Sequence, residues 1–422
     1  MMRLKLGIVI AAMSVQLVCI VGCGKSKTPE NAGPSSNGIP LPPPSGTAAN
    51  SDGGPGNVVK TYSAEVAAAI EAIKGVEGNV LFDEKHPDEV KVVSLESVPA
   101  TDETLKFLKA FKNLGALFIN DTKITDAGMA ELKPLKSLYA IGLTKSQITD
   151  AGLQVLSDLP RLDWIDLSNN SISDAGIRPL LRQNNHLYTI DLSQTNVTDA
   201  VLTELKDAKS LKNLKLNGIT LTGNGLSVLK DVSSLMDLDL KDAKLTDEGL
   251  AGLKDYAGLY TLNIAGTKVT NAGLKELKNQ KKLVRLALPP AITDEGLAVL
   301  KDFTNMKELD LNGTKITSAG LQSLQGMTKL TELKLTQTAV DDMGLAFLKE
   351  MHSLTRLDLS GTKVTDTGLE HLKGLTNLSV LTVRGTKITE DGKKSLLIAL
   401  PNLKLIPRTV KNETIDREDT AM

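Results

Sequence analysis

Leu354-Thr355-Arg356-Leu357-Asp358-Leu359-Ser360-Gly361-Thr362-Lys363-Val364-Thr365-Asp366-Thr367-Gly368-Leu369-Glu370-His371-Leu372 is the clearest copy of a phrase written thirteen times in this chain. Successive copies begin at Val90, Leu114, Leu138, Leu162, Leu187, Leu211, Leu235, Leu259, Leu283, Met306, Leu330, Leu354 and Leu378. They are called repeats 1 to 13, and positions are counted from the first residue of each as zero. The spacing is 24 residues with little variation.

A fixed period of about 20–29 residues built on L-x-x-L-x-L is the mark of a leucine-rich repeat solenoid. In such a fold each repeat buries its core against its neighbours, so a long chain need not divide into globular domains. Apolar residues at positions 3 and 5 alternate, as in Leu357 and Leu359, and predict a short strand. Position 11 is a helix N-cap former in all thirteen copies: Thr in eleven, with Ser173 and Asp341 as the others. Position 10 and, except for Lys393 in the last copy, position 15 are apolar at the spacing of a hydrophobic staple, and position 18 completes the buried set. The segment after position 11 therefore predicts a helix on the opposite, convex side. The fold class expected is an α/β solenoid, a horseshoe with short parallel strands on the concave face and helices on the convex one.

Three polar rows accompany this pattern. Asp102, Asp126, Asp150, Asp174, Asp199, Asp247, Asp294, Asp342 and Asp366 follow the N-cap, in the first turn, where the helix dipole favours negative charge. A calcium ladder is the competing reading, but each Asp stands about one strand spacing from the next and helix capping accounts for the row. Thr122, Thr195, Thr267, Thr314, Thr338, Thr362 and Thr386 at position 8 are expected to bond backbone inside the turn. Glycine at position 14 in eleven copies fits tight packing of the helix against the neighbouring repeat.

The chain divides into five parts. Residues 1–22 read as a signal peptide, with Arg3 and Lys5 ahead of the uncharged stretch Gly7 to Gly22. Residues 23–57 are rich in Pro, Gly, Ser and Asn, a composition that cannot bury a core and reads as a tether with a mean reach of about 30 Å. Pro42-Pro43-Pro44 within it is a stiff spacer or a polyproline ligand. Residues 58–89 predict a cap, with Ser63 starting a helix and Asn79 to Phe82 forming a strand. The repeats occupy 90–402, and 403–422 hold a strand remnant and a polar tail.

Ile20-Val21-Gly22-Cys23 resembles the bacterial lipobox, an aliphatic residue followed by small residues and the lipidated cysteine. The resemblance implies that Cys23 carries a diacylglyceryl group and becomes the mature N-terminus, placing the protein in the cell envelope, periplasmic or on the outer surface. The repeats resemble the cysteine-containing I-T-D-x-G-L subtype of ribonuclease-inhibitor-like solenoids, with Thr in place of the motif's cysteine. Ile124-Thr125-Asp126-Ala127-Gly128-Met129 and Val364-Thr365-Asp366-Thr367-Gly368-Leu369 carry the likeness. For function it implies protein–protein interaction. No F-box precedes the array, and an export signal is inconsistent with a cytosolic ubiquitin ligase role.

The net charge of −1 gives no support to a nucleic-acid partner. The two cysteines, Cys19 and Cys23, lie in the first 23 residues, so the repeats hold no disulfide and no cysteine-based zinc site. Histidines 86, 186, 352 and 371 show no metal-ligand spacing, and nucleophile elbows and phosphate loops are missing. No cofactor, small-molecule substrate or catalytic residue is expected. Asp166 and Asp191 stand as adjacent carboxylates in neighbouring strands, the sole candidate pair for glycosidase-like chemistry, but an open sheet excludes little water.

Thirteen strands at ~4.8 Å spacing would make a concave sheet of roughly 60 Å. Aromatic residues make up 3% of the chain, yet Phe118, Tyr139, Trp164, Tyr188 and Tyr260 all fall in its outward or marginal rows. Rigid aromatics at a surface are the usual anchors of protein interfaces, though side chains on a sheet also cover one another. Farther along, the same rows hold Asp166, Asp191, Asp237, Asp239, Glu308, Asp310, Glu332 and Asp358 among Lys215, Arg285, Lys334 and Arg356. They suggest steering of a basic partner or a solvated face. Repeat 9 lacks one residue and carries Pro289-Pro290 after its strand, which is expected to disturb the turn and divide the concave face in two. The expected function is therefore protein binding through the concave sheet. Lateral structural packing in an envelope layer and glycan binding are the alternatives.

Overall fold

The computed structural model describes residues 62–406, apart from 222 and 223. The signal peptide, Cys23, the tether and the tail beyond Ile406 lie outside the described residues. Fifteen strands form one sheet in strict chain order. The first, Asn79–Phe82, pairs antiparallel with Val90–Ser94, and every later pairing is parallel.

The cap is built as its sequence predicts. Ser63 accepts the N–H of Val66 at the start of the helix Ala64–Gly75, which buries Ala69, Ile70 and Ile73. Tyr62 and Phe82 stack with ring centroids 5.6 Å apart. This cover keeps water from the open core face of the first repeat.

Repeats 2 to 13 each contribute one three-residue strand, repeat 1 a five-residue one, and all but the last bury the same set of positions. In repeat 12 Leu354, Leu357, Leu359, Val364, Leu369 and Leu372 are all buried. Burying one such side chain stabilises by about 1.5–3 kcal/mol, and one continuous core runs from the cap to Leu403. The return segments are tighter than expected. Most are a single α-turn such as Asp366–Leu369 continued as a 3-10 turn such as Glu370–Leu372. Full helices occur at Asp174–Gln183 in repeat 4 and Glu390–Ala399 in repeat 13.

The strand-to-turn corner has a requirement that the sequence pattern did not disclose. Position 7 is left-handed in twelve repeats, from Ser97 (φ 54°) through Asn169 (φ 58°) to Gly385 (φ 67°). This conformation suits Gly and Asn and is uncommon for other residues. Seven positions carry Thr at the next residue. Each hydroxyl donates to the carbonyl three residues back, as Thr362 does to Leu359 (2.6 Å) and Thr314 to Leu311 (2.7 Å).

Repeat 9 is the exception, since the ring of Pro290 forbids positive φ. Its turn closes one residue later than in the threonine corners, with the N–H of Ile292 donating to Pro289 O. Pro290 cannot donate the corner rung that Gly313 and Gln337 make to the next repeat (2.7 Å each). The sheet nonetheless continues: Arg285–Ala287 pairs in register with Thr261–Asn263 and with Glu308–Asp310. The expected division of the face is thus corrected. A backbone hydrogen bond at the corner is lost, and strand pairing is not.

The Asp row also acts beyond its own helix. Asp342 accepts the N–H of Thr365 in the next repeat (2.7 Å) with Oδ1 and its hydroxyl (2.6 Å) with Oδ2. The same double grip joins Asp102 to Thr125, Asp126 to Thr149, Asp150 to Ser173 and Asp174 to Thr198. It recurs from Asp247 to Thr270, Asp294 to Thr317 and Asp366 to Thr389. With both oxygens so engaged, a calcium ladder would have to displace these bonds. Between repeats 10 and 11 the roles are exchanged: Ser318 donates to Asp341 (2.5 Å), whose own N–H donates back to Ser318 Oγ (3.0 Å).

In most repeats the glycine at position 14 leaves room for this grip. A Cβ on Gly128, Gly152, Gly273, Gly320 or Gly368 would overlap the carboxylate of the preceding repeat's Asp. Val201 stands there in repeat 5, after the long helix of repeat 4.

Candidate functional site

The side of the sheet away from the core presents positions 2 and 4 of every strand, and the aromatic residues gather over repeats 2 to 5. Phe118, at position 4, lies across Gly142, its Cδ1 2.8 Å from where a Cβ would stand. That missing side chain lets Phe118 reach Trp164, two strands away, with ring centroids 5.8 Å apart and planes tilted by 57°. Edge-to-face pairs of this kind are favourable beyond their buried area. The indole N–H of Trp164 is covered and has no acceptor.

Tyr139 and Tyr188 stand at the margin of the same patch, both half-buried. Tyr139 leans over Gly115 toward Lys91, whose Nζ is 5.9 Å from the ring centroid. Lys212 Nζ lies 5.0 Å from the Tyr188 ring. Asp163, at the marginal position of the intervening repeat, escaped the sequence reading. Burial raises its pKa against the opposing influence of His186, and its Oδ1 has no hydrogen-bond partner. Burial likewise raises the Tyr139 phenol, with Asp163 adding to it. Tyr260 is 38% exposed but belongs to repeat 8, apart from the group.

Next to Gly142 in register come Asp166, Asp191 and Lys215. Each Asp closes its strand by accepting the N–H two residues on, from Ser168 and Ser193 (3.0 Å each). Asp191 is 8% exposed and pairs with Lys215 at 3.3 Å. Asp166 has no cationic partner among the described residues, and burial, with Asp191 beside it, raises its pKa. The two carboxylates are neighbours as expected. Asp191, committed to Lys215 and Ser193, has no free role as an acid or base.

The acidic tract divides on inspection of its partners. Arg285 pairs with Glu308 (2.9 Å), Lys334 with Asp310 (3.3 Å) and Glu332 (3.4 Å), and Arg356 with Glu332 (3.8 Å). These charges in repeats 9 to 12 neutralise one another, which is the solvated-face reading. They rim a depression of about 200 Å³ over Ala287, where the row carries no long side chain. Asp237 and Asp239, in repeat 7, have no cation against them among the described residues.

Two buried polar side chains that the sequence reading passed over are structural. Gln280 is fully buried where other repeats hold Leu375 or Met327, and its amide donates to Leu253 O (2.9 Å) and Tyr256 O. Tyr256, one repeat earlier, donates to Val232 O (3.3 Å) and Leu235 O, and burial pushes its pKa up to about 12. Among the described residues no group of three or more His, Cys, Asp or Glu is placed to hold a metal.

This is a leucine-rich repeat solenoid. A family model described as Leucine Rich repeat matches residues 233–254, 304–324 and 350–373. An internalin of Listeria monocytogenes superposes with a TM-score of 0.57 at 21% identity, over 81% of this chain and 94% of the other. A leucine-rich repeat protein of Leptospira interrogans is a weaker likeness, at TM-score 0.40 and 19% identity over 71% and 91% of the two chains. The leucine-rich repeat ectodomain of the plant receptor kinase GASSHO1/SCHENGEN3 from Arabidopsis thaliana gives 0.47 and 15%, over 78% and 51%. No curated protein matches. The fold is one typically used for protein–protein interaction and is generally non-enzymatic.

Proposed function

We propose that this chain is a lipid-anchored protein of the cell envelope that binds another protein through the outward face of its sheet. The observation that carries the reading is the gathering of Phe118, Trp164, Tyr139 and Tyr188 over four adjacent repeats, in a chain otherwise poor in aromatics. Rigid aromatics with few rotatable bonds lose little entropy on binding and dominate interface energetics. Anchoring rests on the lipobox-like Ile20-Val21-Gly22-Cys23 and on the Pro-rich tether that follows it. Two acyl chains at about 0.8 kcal/mol per buried CH₂ would hold the protein stably at a membrane.

The test is a cross-linking pull-down from envelope extract with the full chain and with a Tyr139→Ala, Trp164→Ala, Tyr188→Ala variant. Capture of a partner by the first and its loss by the second supports the reading. Equal capture moves the weight to lateral packing. That second reading draws on Met343 (73% exposed) and Ile398 (84% exposed), apolar side chains on the return segments. Labelled fatty acid should enter the wild-type chain and not Cys23→Ser.

A further inference from the structure

We infer that the partner inserts a cationic side chain, an arginine or a lysine, beside Trp164 to pair with Asp166. The inference rests on the protein-binding reading and names the chemistry its contact requires.

Several charges on the sheet are already satisfied within the chain. In repeats 9 to 12 Glu308, Asp310 and Glu332 have Arg and Lys partners within 2.9–3.8 Å, while Asp358, far from the aromatic patch, accepts the N–H of Ser360 (2.8 Å). Lys215 is taken by Asp191 at 3.3 Å. Asp166, half-buried, accepts the strand-closing N–H of Ser168 (3.0 Å) and is also hydrogen-bonded by the Ser168 and Thr144 side chains, but it has no counter-charge at ion-pair distance among the described residues. A carboxylate placed in a poorly solvated spot without a cation is costly to the free protein. A cation delivered from outside removes that cost and gains a charge-assisted hydrogen bond.

The surroundings suit such a cation and not an anion or a plain apolar group. Trp164 is on the same strand and the same face as Asp166, two residues away, and Phe118 covers the adjoining Gly142. Aromatic faces attract ammonium and guanidinium groups through the ring quadrupole, more so where water is excluded. The patch already shows this chemistry at its margins, where Lys91 and Lys212 stand over Tyr139 and Tyr188. Farther on, Asp237 and Asp239 extend the negative field, so a partner with a basic stripe would be steered along repeats 4 to 7.

The chain has one tryptophan, so its fluorescence reports on this spot alone. The full chain would be titrated with short arginine-rich and lysine-rich peptides, and with a citrulline-rich peptide as the uncharged isostere. The expected result is a saturable change in Trp164 emission with the cationic peptides and none with citrulline, the stronger cation naming the partner's residue. Asp166→Asn should weaken binding about tenfold, the size of one charged hydrogen bond. The variant keeps the strand-closing acceptor, as Asn263 shows by accepting the N–H of Ala265 at 3.1 Å. Asp358→Asn removes a carboxylate from the same row at the far end and should leave affinity within about twofold. Equal weakening by the two variants, or a response to neutral oligosaccharides and not to cations, overturns the inference. In the pull-down, a partner lost with the aromatic variant but kept by Asp166→Asn overturns this inference alone. A partner kept by both overturns the binding reading as well.

Discussion

Asp342 holds Thr365 of the following repeat at two atoms, the N–H at 2.7 Å and the hydroxyl at 2.6 Å. Thr365 in turn caps its own helical turn by accepting the N–H of Thr367 at 3.2 Å. One carboxylate thus fixes both the backbone and the rotamer of the next cap. Asp342→Ala is expected to destabilise the array by about 1–3 kcal/mol, because the freed N–H and hydroxyl lose their acceptor. Asp342→Asn should lose less than half of that. Asn271 makes the equivalent pair of bonds with Thr293, at 3.1 Å to the N–H and 2.7 Å to the hydroxyl. Denaturant midpoints of the two variants check both statements.

Gly368 leaves the space that the Asp342 side chain fills. Gly368→Ala should cost about 1–3 kcal/mol through overpacking. In the Asp342→Ala background the same substitution should cost clearly less, since the colliding atoms are gone. A double-mutant cycle that returned additive losses would show the two residues to be uncoupled.

Thr362 donates its buried hydroxyl to Leu359 O at 2.6 Å. Thr362→Val keeps the shape but removes the bond, and a loss of about 1 kcal/mol is expected. Hydrogen exchange at the Gly361 and Thr362 amides should rise more than at the Leu381 amide, deep in the neighbouring strand.

Asp366 and Asp166 should give opposite pH responses. Bonds from Thr389 hold the Asp366 carboxyl below the usual value. Its contribution is complete above the unfolded Asp pKa of about 3.9 and is lost as pH falls through the lower folded value. Asp366→Asn should therefore flatten the acid limb of the stability profile. Burial raises Asp166, with Asp191 adding to it. The unfolded chain then gives up this proton first, so the carboxyl destabilises increasingly as pH rises from the unfolded value through the folded one. Asp166→Asn should raise the melting temperature at neutral pH and leave it nearly unchanged near pH 3, where both side chains are neutral.

The solenoid was legible because every repeat restates the same buried positions, and the strands, caps and threonine turns fall where that pattern puts them. What spacing within one repeat cannot disclose is which repeat a side chain serves. The Asp row reads as the partner of its own helix dipole, and its bonds run to the next repeat. The glycine at position 14 was the available signal, a space reserved two residues after the row. The exchanged pair Ser318 and Asp341 is the same interaction written in reverse. At the candidate site, the row assignments placed the aromatics on the correct face. Phe118 and Trp164 meet because Gly142 between their strands carries no side chain, a relation across three repeats. The acidic tract looked uniform in sequence. In its far half Glu308, Asp310 and Glu332 are already neutralised by Arg285, Lys334 and Arg356, which register alone does not reveal.

The stitching between repeats has a direction, since in the aspartate–threonine pairs each carboxylate serves the repeat that follows, and the Ser318–Asp341 junction is the reversed one. In the first repeat Thr104 takes the place of such a carboxylate, its hydroxyl accepting the Thr101 N–H at 3.2 Å. At the other end, Glu390 turns to Lys393 at 2.6 Å. The two ends are therefore chemically marked, while most interior junctions are interchangeable. Removing or duplicating a whole 24-residue unit between such junctions would rejoin an aspartate to a threonine with nothing left over. Array length can drift over evolutionary time in whole units, like links in a chain, and a partner's footprint can lengthen or shorten while the ends stay as they are.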